Sequence, residues 1–175
     1  PEAVTAALRK SPRHSVQEAF QPGAVLPKSA ALAEFEATVH ERNKTLYQSD
    51  ADFEEKSRIR RELQKEDGEL FREYAMDWFF YAREPECSAR EKFVLFLQDV
   101  FVVERSKVKE TYALHNLQQT LHAGTTLDYP ELCKQVSKQP AMVRYLDLVQ
   151  NTARKPNENF ARELFELFTL GEGNY

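Results

Sequence analysis

Residues Asn157–Gly171 read NENFARELFELFTLG, and this stretch decides the fold. Asn157 is a good helix N-cap, because its side-chain oxygen can accept a hydrogen bond from a first-turn amide, and Pro156 turns the chain in just before it. Glu158 then stands where the helix dipole favours negative charge. Phe160, Leu164, Leu167 and Phe168 follow the i, i+4, i+7, i+8 spacing of a buried face, which Ala161 and Phe165 widen to well over a third of the circumference. Gly171 supplies the left-handed residue that stops a helix. On the other side Glu158, Arg162 and Glu166 fall at successive i+4 steps, so the Arg162 guanidinium is expected to fork between two carboxylates and act as a structural hub. So broad an apolar face predicts an exposed patch around Leu164–Phe168, or self-association that hides it.

The same reading extends outward. Short helices are expected at 2–10 and 15–20. Ser29 caps a helix running to about Tyr47, with Leu32, Phe35, Val39 and Leu46 inward. Asp52 to Arg83 forms one long helix, highly charged at first and aromatic at its end, with Gly68 as its weak point. Ser88-Ala-Arg-Glu91 has the form of a capping box. Residues 93–103, FVLFLQDVFVV, are apolar nearly all round, the pattern of a central, fully buried helix. Phe93, Phe96, Leu97, Val100 and Phe101 are therefore expected to be buried with Trp78, Phe160, Leu164 and Phe168. Helices at about 106–121 and 128–138 follow, then a short one begun by Pro140. The fold class is all-α: one irregular helical bundle domain over residues 1–175, with a central buried helix.

Composition excludes several functions. The 175 residues hold 12 Phe and 7 Tyr, ample for one core. A net charge of −4 gives no electrostatic reason to expect nucleic acid, which needs a clustered basic surface. No apolar run approaches the ~20 residues of a membrane helix. Cys87 and Cys133 pair only if the fold brings them together. There is no nucleophile elbow, P-loop or dinucleotide fingerprint, and no cofactor is expected.

From about Met76 the order of features resembles the large bacterial family called domain of unknown function 1800. It runs through Trp78-Phe-Phe-Tyr81, Arg90-Glu-Lys92, His122-Ala-Gly124, Pro140-Ala-Met142 with Tyr145-Leu-Asp147, and the Asn-Glu-Asn helix at 157. The last motif is specific; the others are weak alone. Many members carry a Trp-His-Asn-His-Phe-like run where this chain has Leu97-Gln-Asp-Val-Phe101, so no histidine role carries over. The resemblance also implies a substantial C-terminal half, and a chain that opens on Pro1 and closes on Tyr175 is expected to be a piece of a longer protein.

The candidate site is the polar cluster Asp147, Asn157, Glu158, Asn159, Arg162, Glu163 and Glu166. With Asn151, Asp147 and the residues 157–159 offer oxygen ligands for Ca²⁺ or Mg²⁺, but they lack the order of a calcium loop, and capping and buried hydrogen bonding are favoured. Glu158, Glu163 and Glu166 lack the Glu-x-x-His of a di-iron site, so no metal is expected. His115 and His122 lie seven apart on one helix face, ~10 Å along the axis, too far to share a metal directly. They read as partly buried or surface histidines. Three functions remain, in order of preference. The first is a non-catalytic helical module that docks or assembles an exported, envelope-associated complex; the exported or periplasmic setting is implied by the resemblance alone. The second is a metal-assisted hydrolase of an envelope polymer, with Asp147, Glu158, Arg162 and Glu163 as candidates. The third is an intracellular helical scaffold. The expected partner is another protein or the missing C-terminal half.

Overall fold

The computed structural model describes residues 10–20, 25–48, 52–85 and 87–174. Helix accounts for 70% of the described residues, and no strand occurs among them. In chain order the helices are α1 (Pro12–Ala19), α2 (Ala30–Gln48), α3 (Phe53–Ala82), α4 (Ser88–Val100), α5 (Thr111–Gly124), α6 (Tyr129–Ser137), α7 (Pro140–Tyr145), a 3₁₀ turn (Leu148–Gln150) and α8 (Glu158–Glu166). The expected helix at 2–10 lies almost entirely outside the described residues.

Local chemistry sets most boundaries. Ser11, Ser29, Asp52 and Asp128 each accept a backbone N–H at a helix start. Pro12, Pro130 and Pro140 sit in first turns, where their missing N–H costs nothing. The thirty-residue α3 runs through Gly68 unbroken. Gly124 closes α5 where the chain passes tightly over α6: a Cβ there would lie 2.3 Å from Leu132 Cδ1.

The central helix is α5, not the segment at 93–103. It packs against α2, α3, α4, α6 and α7, and nine of its residues are buried, among them Leu117, Leu121, His115, Gln118 and His122. α4 instead has one buried face and one open one. Val94, Leu97 and the following Phe101 are buried, and Phe93 and Val100 are half-buried, whereas Leu95 and Phe96 stand exposed. The open face is marked in the sequence by Lys92 and Asp99, seven residues apart on α4, with Leu95 and Phe96 between them on the same side. Trp78, Phe160 and Leu164 are likewise only half-buried, while Phe168 is buried.

Two other boundaries move for identifiable reasons. α5 begins at Thr111, not near 106, because the buried Asp67 of α3 fixes its start. Asp67 Oδ1 accepts from Thr111 N at 2.9 Å, and its backbone carbonyl accepts from Thr111 Oγ1 at 3.1 Å. Arg105 donates to Asp67 Oδ2 at 2.5 Å and lies over the Phe71 ring, which pins the preceding loop. α8 stops at Glu166. Phe168 N then donates to the Glu163 carbonyl at 3.3 Å, and Leu170 and Gly171 both donate to that of Phe165. Gly171 takes the expected left-handed conformation at φ 82°.

Candidate functional site

Asn157 ties two helices together. It caps α8 by accepting from Asn159 N at 2.9 Å, and its Nδ2 donates to the Leu146 carbonyl at the end of α7 at 2.8 Å. Its own N–H donates to Asn151 Oδ1 at 3.0 Å. Asp147 follows α7 in the left-handed region, φ 57°, a conformation that short polar side chains tolerate. Its carboxylate meets Lys107 Nζ at 2.7 Å, and that ammonium also lies over the Tyr145 ring.

The expected fork of Arg162 between Glu158 and Glu166 does not form. Arg162 Nη2 donates to Asn159 Oδ1 at 2.8 Å and approaches Glu163 Oε1 at 3.3 Å, while Glu158 is exposed at the helix start. Asn159, three residues back, shares the helix face of Arg162 and takes the donor that the acids at i±4 were expected to receive. The Arg162 side chain is 48% exposed, which removes the basis for calling it a buried hub. Arg162→Ala is therefore expected to change stability by less than about 1 kcal/mol in a denaturant titration. A loss above about 3 kcal/mol would restore the hub.

Asn159 and Glu163 line a groove of about 540 Å³ whose other polar edges are Asp99, Glu104 and Lys107. Through Lys107 the groove also reaches Asp147. Glu158 and Glu166 do not line it. The hydrolase candidates are thus only partly brought together, and among the described residues no three His, Cys, Asp or Glu side chains are arranged to hold a metal ion. Cys87 and Cys133 are both free thiols.

A second polar constellation lies inside the bundle. Glu91 is not the distal member of a capping box: α4 begins at Ser88, after Cys87, and the Glu91 carboxylate turns inward. Its Oε2 accepts from Trp78 Nε1 at 2.9 Å and lies 3.3 Å from His122 Nε2. Arg90 Nε is 3.8 Å from Glu91 Oε1, and Arg90 Nη2 donates to Tyr81 OH at 2.8 Å. Farther along α5 the Tyr74 hydroxyl donates to Gln118 Oε1 and its ring meets His115 edge-on. Both histidines are buried, correcting the expectation of partly buried or surface residues.

Burial opposes the charge on Glu91. The His122 imidazole, the Trp78 N–H and the Arg90 charge outweigh it and hold the carboxyl below its ordinary range. Burial, then the charge of Lys28, pushes His115 down toward the neutral form. The Glu91 and His122 side chains are only 2% and 1% exposed, so no substrate-sized molecule reaches them without parting α3, α4 and α5. The seam holds the bundle in register.

The sequence conceals this seam because Glu91 also fits a cap and because His122 pairs by spacing with His115. A signal was present: His115, Gln118 and His122 recur at i, i+3, i+7 on α5, so a buried α5 requires polar partners opposite them.

The family model described as Protein of unknown function (DUF1800) matches residues 1–175. The chain belongs to the DUF1800 family. Membership spans the whole chain, farther than the last hundred residues on which the resemblance was read. No curated protein and no solved structure matches this DUF1800 chain. Among its described residues, no helix is long and apolar enough to cross a membrane.

Proposed function

We propose that this DUF1800 chain is a non-catalytic helical module that docks another protein within an exported, envelope-associated assembly. The observation that carries the docking role is the apolar surface around the signature helix. Phe165, Leu167 and Leu170 are 41%, 63% and 50% exposed. Phe165 borders a groove of about 520 Å³ between α6 and α8, whose apolar walls include Tyr129, Cys133, Phe160 and Leu164. Exposed apolar side chains clustered at a groove mark interaction surfaces. Lys134 on α6 and Lys138, which caps that helix, form its charged edge; Lys134 meets Glu131 only at 3.6 Å, in solvent. An amphipathic helix with an apolar ridge and an acidic flank complements this shape and charge. The exported setting rests on the family resemblance.

The test is purification of the tagged chain from its native source, followed by zero-length carbodiimide cross-linking. The expected result is a stoichiometric complex with one protein, cross-linked from Lys134 or Lys138 to acidic residues of the partner. Phe165→Glu combined with Lys134→Glu, both on the groove lining, should dissolve that complex without lowering the melting temperature, since both side chains are already exposed. A complex indifferent to the double substitution, or none at all, overturns the reading. Cross-links to a second copy would assign the face to self-association instead. Recovery of the protein from the cytoplasm would remove the exported setting.

A further inference from the structure

Away from the signature helix, α2 and α3 diverge over a cleft of about 390 Å³, closed at one end by the loop before α5. The helical period creates it. Phe35, Val39 and Leu46 lie along one face of α2, opposite Leu63 of α3, and together they give the cleft an apolar floor. The volume falls within the range of small-molecule sites, and the lining is polar and apolar in about equal measure.

The charges of the lining decide what it would take. The whole chain carries a net −4, yet the cleft gathers Arg60, Arg105 and Lys109 against Asp67 and Glu110. Both acids are already matched: Asp67 by Arg105, and Glu110 by Arg144, which lies outside the cleft. Arg60 and Lys109 remain, with no ion pair to an acid among the described residues. Arg60 is not loose, because its guanidinium lies over the Tyr47 ring, 5.9 Å from the centroid. Lys109 belongs to the opposite end, since Arg105 bonds both its carbonyl and Asp67. Arg60 and Asp67 are seven residues apart on α3, so the floor is ~10 Å long with a cation at each end.

We infer that the α2–α3 cleft binds a small amphiphilic anion, with its apolar body on the Phe35–Leu63 floor and a carboxylate or phosphate group on Arg60. A planar guanidinium engages either head group through two parallel N–H bonds. Lys109 adds attraction from the far end without direct contact. This site is separate from the α6–α8 docking face and stands or falls without it.

The probes are 4-phenylbutyrate, phenyl phosphate and the neutral 4-phenylbutanol, titrated into the ¹⁵N-labelled protein at constant ionic strength. Ligands of this size bind with dissociation constants on the order of 1 mM, well within reach of amide shift titrations. Both anions should saturate, with shifts concentrated at 35–47, 60–67 and 105–110, and the alcohol should bind about tenfold more weakly. The ratio between the two anions tells which head group fits better. Arg60→Ala should weaken the anions about tenfold and leave the alcohol unchanged, while Lys109→Ala should weaken them by a smaller factor. Neither substitution should alter the amide spectrum outside the cleft. Absence of saturable shifts up to tens of millimolar overturns the inference. So does equal binding of anion and alcohol, or anion binding indifferent to Arg60→Ala.

Discussion

Replacing Glu91 by alanine is expected to cost roughly 3–5 kcal/mol, the range found when one member of a buried charged pair is removed. Trp78 Nε1 would lose its acceptor, and the 2%-exposed carboxylate that faces His122 and Arg90 would be gone. Glu91→Gln should cost less, because the amide oxygen still accepts from Trp78 while only the charge is lost. The two variants also differ in their response to acid. The folded-state pKa of Glu91 is depressed, so its contribution is fully present above the unfolded carboxyl value of about 4.3 and is lost as pH falls through the folded value. Urea titrations from pH 7 down to pH 3 should therefore show wild-type stability converging on that of Glu91→Gln at the acid end. Parallel curves would mean that the carboxylate is not held in its charged form by the seam.

This expectation arises from the part of the structure that the sequence showed least clearly. Periodicity gave the all-α class and the inward set Leu32, Phe35, Val39 and Leu46 on α2, because an amphipathic stripe encodes direction as well as helix. It failed at 93–103, where the length of the apolar run outweighed the two charges, Lys92 and Asp99, that mark the open face on which Leu95 and Phe96 also fall. The polar seam was hidden for a related reason. Each of Trp78, Glu91, His115, Gln118 and His122 has an ordinary local reading, and only the convergence of α3, α4 and α5 makes them partners. Asn157 was read correctly as a cap, since its neighbours in sequence settle that role. Its second bond, to Leu146, was not legible, because the tie spans an intervening turn. Arg162 shows the opposite error. An i±4 ladder was inferred from spacing alone, whereas the nearer Asn159 and Glu163 are the groups it meets.

Phe168→Ala should cost about 3–5 kcal/mol, the usual loss for a fully buried phenylalanine. The residue is 4% exposed and seats the far end of α8 on the bundle. Its ring meets that of Phe101 at 5.4 Å, and Phe101 in turn stacks on Tyr129 at 5.9 Å. The Phe168 carbonyl accepts from the Tyr129 hydroxyl and lies 3.9 Å from Cys133 Sγ. Burial pushes the Tyr129 phenol up to about 12, so this donor keeps its proton throughout the physiological range. The neighbours Leu167 and Leu170 are largely exposed, and Phe160 and Leu164 are half-buried. Phe168 is therefore the principal apolar anchor of the turn after α8. Truncating it should release the signature helix before the rest of the bundle unfolds. Hydrogen exchange should then show lost protection in residues 158–171 at a denaturant concentration where α5 amides remain protected. Uniform loss of protection across both helices would instead make α8 part of one cooperative core, and a total cost below about 1 kcal/mol would place the Phe168 ring in solvent. Because the proposed docking face is built on α8, releasing the helix should also abolish the proposed partner binding, whereas Arg162→Ala should leave it in place.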